Sequence, residues 1–209
     1  MKILVIDTST SKGVVALTED VCLIEQCPIS KARDLVPLTA ALIQRNKISF
    51  NDISLIVATM GPGLFNGLRV GAMVAKTLSF TLKIPLVGIS SLKAFTPEEE
   101  GPFISLIDAK QNSAFVIKGE RKGKEILYTQ QEGRIALPLL SSHIDAKTLL
   151  CTPDLSTFEP FFKQHRLQEC LPNIEHLAQL GFTRFSMGEF NTEGKLPLAY
   201  SLDQYQVLK

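Results

Sequence analysis

No histidine occurs before position 143, and the three present, His143, His165 and His176, form neither HxxxH nor HExxH. Imidazoles one helical turn apart are a common grip on a catalytic metal, so a metal-dependent protease or transferase centre is not expected. The four cysteines (Cys22, Cys27, Cys151, Cys170) lack CxxC spacing, and free thiols in a reducing compartment are the expectation, with no Cys22–Cys27 disulfide. No stretch approaches the roughly 18 apolar residues of a membrane span. The opening run Ile3-Leu4-Val5-Ile6 stops at Asp7, earlier than the core of a signal peptide would. A cytoplasmic protein is therefore expected. Charge of one sign is missing too: 22 Lys+Arg face 21 Asp+Glu, for a net +1. That excludes a broad electrostatic surface for nucleic acid or membrane and leaves room for a local patch or for a role exercised through a partner. No serine or cysteine has a recognisable base partner in sequence, so nucleophilic catalysis has no support.

Within 209 residues, 45% hydrophobic, the chain can form one ordinary domain or two small ones. Residues 3–7 read as a buried strand. The polar turn Thr8–Gly13 and the run Val14–Leu17 complete a hairpin, and a third strand is expected near 21–26. Asp34 is placed to cap a helix carrying Leu35, Leu38, Leu42 and Ile43 at helical spacing, with Pro37 in its first turn. A strand over 53–59, a glycine turn, a helix over 67–82, a strand over 83–89 and a helix starting at Ser90-Ser91 follow. The stretch Pro97 to Pro102 marks a boundary, dividing the chain into subdomains 1–100 and 101–209. Beyond it the pattern restarts: Phe103-Ile104-Ser105-Leu106-Ile107-Asp108, a polar turn, Ala114-Phe115-Val116-Ile117, and Glu125–Tyr128 as third hairpin strand. Strand, aspartate, polar turn, strand thus occurs twice, which reads as a duplication. Residues 146–151 suggest a strand, 158–164 and 174–182 short helices, and the last dozen residues no period.

The glycine turn, Gly61-Pro62-Gly63-Leu64-Phe65-Asn66-Gly67, is the most informative segment. A strand, a tight turn and a helix place backbone N–H groups at a helix start, where an anion can bind. The turn is neither a Walker A loop nor GxGxxG. The alternative is packing: Gly67, Gly71, Ala72 and Ala75 permit close approach of another backbone. Leu68, Val70, Met73, Val74 and Leu78 lie nearly all round the helix, more apolar surface than one sheet covers. Arg69, a cation in a first helical turn, opposes the helix dipole and calls for a specific partner.

The segments Ile3-Leu4-Val5-Ile6-Asp7-Thr8-Ser9-Thr10, Gly61-Pro62-Gly63-Leu64-Phe65-Asn66-Gly67-Leu68-Arg69-Val70-Gly71, Ile84–Leu92 and Ile107-Asp108-Ala109-Lys110 resemble the TsaB (YeaZ) family of tRNA threonylcarbamoyladenosine biosynthesis proteins, in the actin, Hsp70 and sugar-kinase superfamily. The second segment is similar to the family signature GPGSFTGLRIG, with Leu64 and Asn66 replacing its serine and threonine. Residues 29–35 lack the family's His-Ser-Glu.

The resemblance implies an α/β fold of two tandem actin-like (ribonuclease H-like) subdomains, each a mixed sheet with helices and the second reduced. It implies a non-catalytic scaffold or activator of the tRNA N6-threonylcarbamoyladenosine modification. The chain would dock on a TsaD-like catalytic paralogue, which carries the HxxxH pair missing here, with a TsaE-like ATPase joining and tRNA reached only through the complex. The implied interface is Leu35, Leu38, Leu42, Arg69, Val70, Met73, Val74 and Thr77, which could also support a homodimer. Asp7, Thr8, Ser9, Gly61, Gly63 and Asp108 are the candidate nucleotide or anion contacts. No cofactor is expected in the isolated chain, with ATP or ADP and Mg²⁺ as the alternative there or in the complex. The rival functions are a nucleotide-dependent phosphotransferase or ATPase and, with less support, a protease-like protein.

Overall fold

The computed structural model describes residues 1–193 and 206–207, which fall into two compact units. The first contains Met1–Ala94 and residues 172–193; the second contains Phe95–Leu171 and the C-terminal strand.

In the first unit, β1 (Lys2–Asp7), β2 (Gly13–Glu19) and β3 (Cys22–Ile29) form an antiparallel meander. Helix α1 (Leu35–Arg45) leads to β4 (Ile53–Thr59), and α2 (Phe65–Leu82) leads to β5 (Leu86–Ile89). β4 and β5 extend the sheet in parallel, giving the order β3-β2-β1-β4-β5. The unbroken apolar runs of β1 and β4 reflect burial on both faces. Leu4, Ile6, Ile56 and Ala58 share a core cluster with Leu35, Leu42 and Ile43 of α1 and Ala72 and Ala75 of α2. Val57, alternating with that set along β4, meets Gly181 of α5 (Ile174–Ser186), where a Cβ would overlap the Val57 side chain.

The second unit repeats this wiring. β6 (Gly101–Asp108) pairs antiparallel with β7 (Ser113–Lys122) and parallel with β10 (Leu149–Thr152), which in turn pairs parallel with β11 (Arg166–Glu169). β9 (Gly133–Ala136) lies on the far side of β7, followed by β12 (Gln206–Val207). The path β9-β7-β6-β10-β11 matches β3-β2-β1-β4-β5 strand for strand. Its helices are shortened: α3 (Leu137–Ser142) has 6 residues where α1 has 11, and α4 (Leu155–Phe158) has 4 where α2 has 18. The fold is α/β, with two mixed sheets and helices in tandem.

Several expectations need correction. The strand Glu125–Tyr128 (β8) is not the counterpart of β3. The ten-residue β7 is long enough to pair with two strands: β8 takes Gly119–Lys122 and β9 takes Ser113–Val116. The expected helix over 158–164 is the four-residue α4, started earlier by Asp154, whose carboxylate accepts from the Thr157 N–H. The helix expected at Ser90-Ser91 is a 3-10 turn, Ser91–Ala94. Asp34 precedes α1 without capping it, because a 3-10 turn (Ala32–Asp34) leads directly into the helix. Helix α5 packs with the first unit, outside the expected division at 100/101: the Asn173 N–H donates to the Ala94 carbonyl, and Glu175 accepts from the Leu23 N–H. The final residues, apart from Gln206–Val207, lie outside the described residues.

Candidate functional site: the glycine turn and the exposed face of its helix

The glycines of the turn serve close packing. A Cβ on Gly63 would overlap the Ser9 carbonyl oxygen, and one on Gly67 would overlap the Thr8 carbonyl oxygen. With both absent, the segment after β1 lies directly on the turn. The Leu64 N–H donates to the Ser9 carbonyl at 2.6 Å, and the Thr8 hydroxyl donates to the Gly67 carbonyl at 2.8 Å. On the other flank the Gly61 N–H donates to Ser91 Oγ at 3.0 Å and the Ser91 N–H returns to the Gly61 carbonyl at 2.8 Å. Three donors expected to face a ligand are thus spent on the protein itself.

Asp7 is fully buried; its Oδ1 accepts from the Ser9 N–H at 2.9 Å and from the Thr59 hydroxyl at 2.7 Å. Burial raises its pKa from the ordinary 3.8, and the bonds from Ser9 and Thr59 pull less strongly the other way. Between the ordinary and the raised value the folded chain holds a proton that the unfolded chain has lost. Stability therefore falls as pH rises through that window, and the cost of the buried charge is fully present above it. Asn at position 7 keeps an oxygen for both donors and removes the charge. Asp7→Asn is expected to be more favourable to the first unit's stability at pH 7 than below pH 4, where the unsubstituted carboxyl is neutral as well. Thermal melts at the two pH values check this; a Tm difference from the unsubstituted chain that is no more favourable at pH 7 contradicts it.

Of the candidate nucleotide contacts, Asp7, Thr8, Ser9, Gly61 and Gly63 come together around the turn, with Asp7, Thr8, Ser9 and Gly61 buried. Asp108 belongs to the second unit, where it pairs with Lys110 Nζ at 2.6 Å and accepts from the Lys110 N–H at 2.7 Å. That hydrogen bond and charge raise the Lys110 pKa. Beside the glycine turn lies an open cleft of about 420 Å³, its hydroxyls from Thr8, Thr10 and Ser11 set among the apolar Ile29, Leu64 and Phe65. Among the described residues no group of three or more His, Cys, Asp or Glu side chains is placed to hold a metal ion.

The expected interface residues divide by burial. Leu35 and Leu42 are wholly inside the first unit's core and are withdrawn as contact residues: the helical spacing that groups them points at their own sheet. Leu38, Val70 and Val74 are half-buried against the same core. Arg69, Met73 and Thr77 are exposed. The structure adds residues that the sequence reading missed. Phe65 is 48%, Met73 66% and Phe80 58% exposed, and with Arg69 they line one stripe of α2 at i, i+4, i+8 and i+15. Val36 of α1 and Leu64 are exposed as well. A signal for this lies in the sequence: Gly71, Ala72, Ala75 and Ser79 are the small residues that take the buried face, which turns the large ones outward. Arg69 finds its partner on the same helix, its guanidinium 3.8 Å from the centre of the Phe65 ring, and Lys83 Nζ lies 4.4 Å from that of Phe80. Such stacking contributes roughly 0.5–1 kcal/mol at exposed sites.

A family model described as "TsaD: tRNA N6-adenosine threonylcarbamoyltransferase" matches residues 29–133. The tRNA threonylcarbamoyladenosine biosynthesis protein TsaB of Escherichia coli K12 is 26% identical over 146 residues, 66% of this chain and 63% of that protein. TsaB of Bacillus subtilis 168 is 32% identical over 122 residues, 55% of this chain and 53% of that one. The chain belongs to the TsaD family. The match covers less than two thirds of the length of either TsaB. YeaZ from Pseudomonas aeruginosa superposes with a TM-score of 0.80 at 20% identity, over 96% of this chain and 99% of that one, which establishes the actin-like fold. The tRNA N6-adenosine threonylcarbamoyltransferase of Dictyoglomus turgidum is 38% identical over 82 residues, 36% of this chain and 25% of that protein. No helix among the described residues is long and apolar enough to cross a membrane.

Proposed function

We propose that this chain is a non-catalytic scaffold or activator in N6-threonylcarbamoyladenosine modification of tRNA, docking through α2 on a TsaD-like catalytic paralogue. The observation that carries the reading is the stripe Phe65–Met73–Phe80: three large apolar side chains, each about half exposed or more, spanning about 22 Å of one helix. Surface of this kind marks an interaction site more often than it marks nothing. Burying the part of each that is still exposed contributes roughly 1–2 kcal/mol. The helix contains Arg69 and Lys76 and no acidic residue. A partner offering apolar side chains ringed by carboxylates complements it, whereas a second copy brings like charges together. A homodimer through the same face is the weaker association. In this reading the paralogue transfers the threonylcarbamoyl group from its adenylate, a TsaE-like ATPase joins the assembly, and this chain reaches tRNA only through the complex, in the cytoplasm.

Reconstitution tests it. The paralogue with its ATPase is expected to form little modified adenosine until this chain is added, and Asp7→Asn is expected to support the reaction as the unsubstituted chain does. Full activity without the chain removes the scaffold role. The hydroxyls of Thr8, Thr10 and Ser11 in the cleft favour one alternative, a nucleotide-binding enzyme. Isothermal titration of the isolated chain with ATP and Mg²⁺ is expected to show no micromolar binding; micromolar binding abolished in Asp7→Asn supports the alternative instead.

A further inference from the structure

We propose that Cys151 and Cys170 form a peroxide-oxidised dithiol that closes to a disulfide at the edge of the second unit's sheet. Cys151 is the third residue of β10, paired in parallel register with Gln168 of β11. Cys170 lies two residues beyond Gln168, on the same face of the ladder, and its N–H donates to the Thr152 carbonyl at 2.8 Å. Both side chains are buried, the Cys170 thiol donates to the Gln168 carbonyl at 3.9 Å, and each thiol shifts the titration of the other. The Cys151 thiol pulls the Cys170 pKa down, while Cys170 and then burial push Cys151 up. Of the two, Cys170 is the better attacking thiol and Cys151 the resolving one. Among the described residues β11 has β10 as its one strand neighbour, so its end can shift inward as the sulfurs approach to about 2 Å.

The surroundings select the oxidant. Glu98, Glu99 and Glu169 all bear electrostatically on the pair. That field repels an anionic low-molecular-weight disulfide and does not repel a small neutral hydroperoxide. The Cys170 thiolate attacks one oxygen of hydrogen peroxide. The O–O bond breaks, giving the sulfenic acid and a hydroxide that takes up a proton to become water. The Cys151 sulfur then displaces hydroxide from the sulfenic sulfur; the hydroxide leaves as water with the Cys151 proton. Two thiols and one peroxide become one disulfide and two waters, two electrons passing from sulfur to oxygen. The crosslink joins β10 to Cys170, one residue before the chain leaves the second unit for α5.

The test is thiol titration of the purified chain, denatured after treatment with hydrogen peroxide and quenching, with mass spectrometry of its peptides. The structure contains four free cysteines. The expected result is loss of two of them, a Cys151–Cys170 linked peptide two hydrogens lighter than the reduced pair, and full recovery with dithiothreitol. Cys170→Ser is expected to form no linked peptide under the same treatment. Four thiols surviving, or loss confined to the exposed Cys22 or to irreversible higher oxides with no linked peptide, overturns the proposal.

Discussion

Replacing Gly67 with alanine is expected to destabilise the first unit by about 3 kcal/mol, the upper range for an overpacked site, lowering Tm by roughly 6–12 °C for a chain of this size. Helix propensity alone points the other way, since alanine is better than glycine inside a helix by about 1 kcal/mol. Sterics decide the sign here. The added methyl would overlap the Thr8 carbonyl oxygen, a backbone atom that cannot rotate aside, and Thr8 is tied to the same residue by its hydroxyl bond to the Gly67 carbonyl. Gly71→Ala makes an informative comparison. Its methyl would meet the Thr8 side chain, which can turn away at the cost of that hydroxyl bond, so a smaller loss of about 1 kcal/mol is expected. A thermal melt of the two variants checks the order. An alanine at 67 that leaves Tm unchanged or raises it would mean that the segment after β1 does not rest on the turn.

This close packing accounts for the glycine turn better than anion binding does, and it also shows which parts of the structure were legible beforehand. The repeated strand–aspartate–strand pattern at Ile3–Asp7 and Phe103–Asp108 locates both sheet centres, because strands covered on both faces need unbroken apolar runs. The face of α2 was half legible. Its small residues mark the side against the sheet, yet helical spacing cannot say whether Leu35 and Leu42 face a sheet or a partner, and they face the sheet. Two other features carry little local signal. The four-residue β9, Gly133–Ala136, is too short for a period, and its place beside β7 depends on the length of β7. The periodic pattern of α5 announces a helix without naming the sheet it covers. That choice rests on Gly181 fitting against Val57, a contact between residues far apart in sequence.

Met73→Glu is expected to leave the fold intact and to remove docking on the catalytic paralogue. Met73 is 66% exposed in the isolated chain, where substitutions usually change stability by less than about 0.5 kcal/mol. In the complex the same position would be desolvated, and an unpaired charge there costs roughly 3–5 kcal/mol, about two to three and a half orders of magnitude in Kd. Val70 is a poorer site for the test because it packs against the unit's own core, so its loss would confound folding with binding. Lys124→Glu, in the exposed turn between β7 and β8, changes net charge at least as much and controls for long-range electrostatics.

The direct measurement is the affinity of the purified chain for its TsaD-like paralogue by isothermal titration, with the unsubstituted chain, Met73→Glu and Lys124→Glu compared at matched Tm. The expected result is tight binding for the unsubstituted chain and for Lys124→Glu, and a Kd at least 100-fold weaker, by the desolvation cost above, for Met73→Glu. Equal affinity for all three would contradict the docking face, and no affinity for the unsubstituted chain would contradict the scaffold itself.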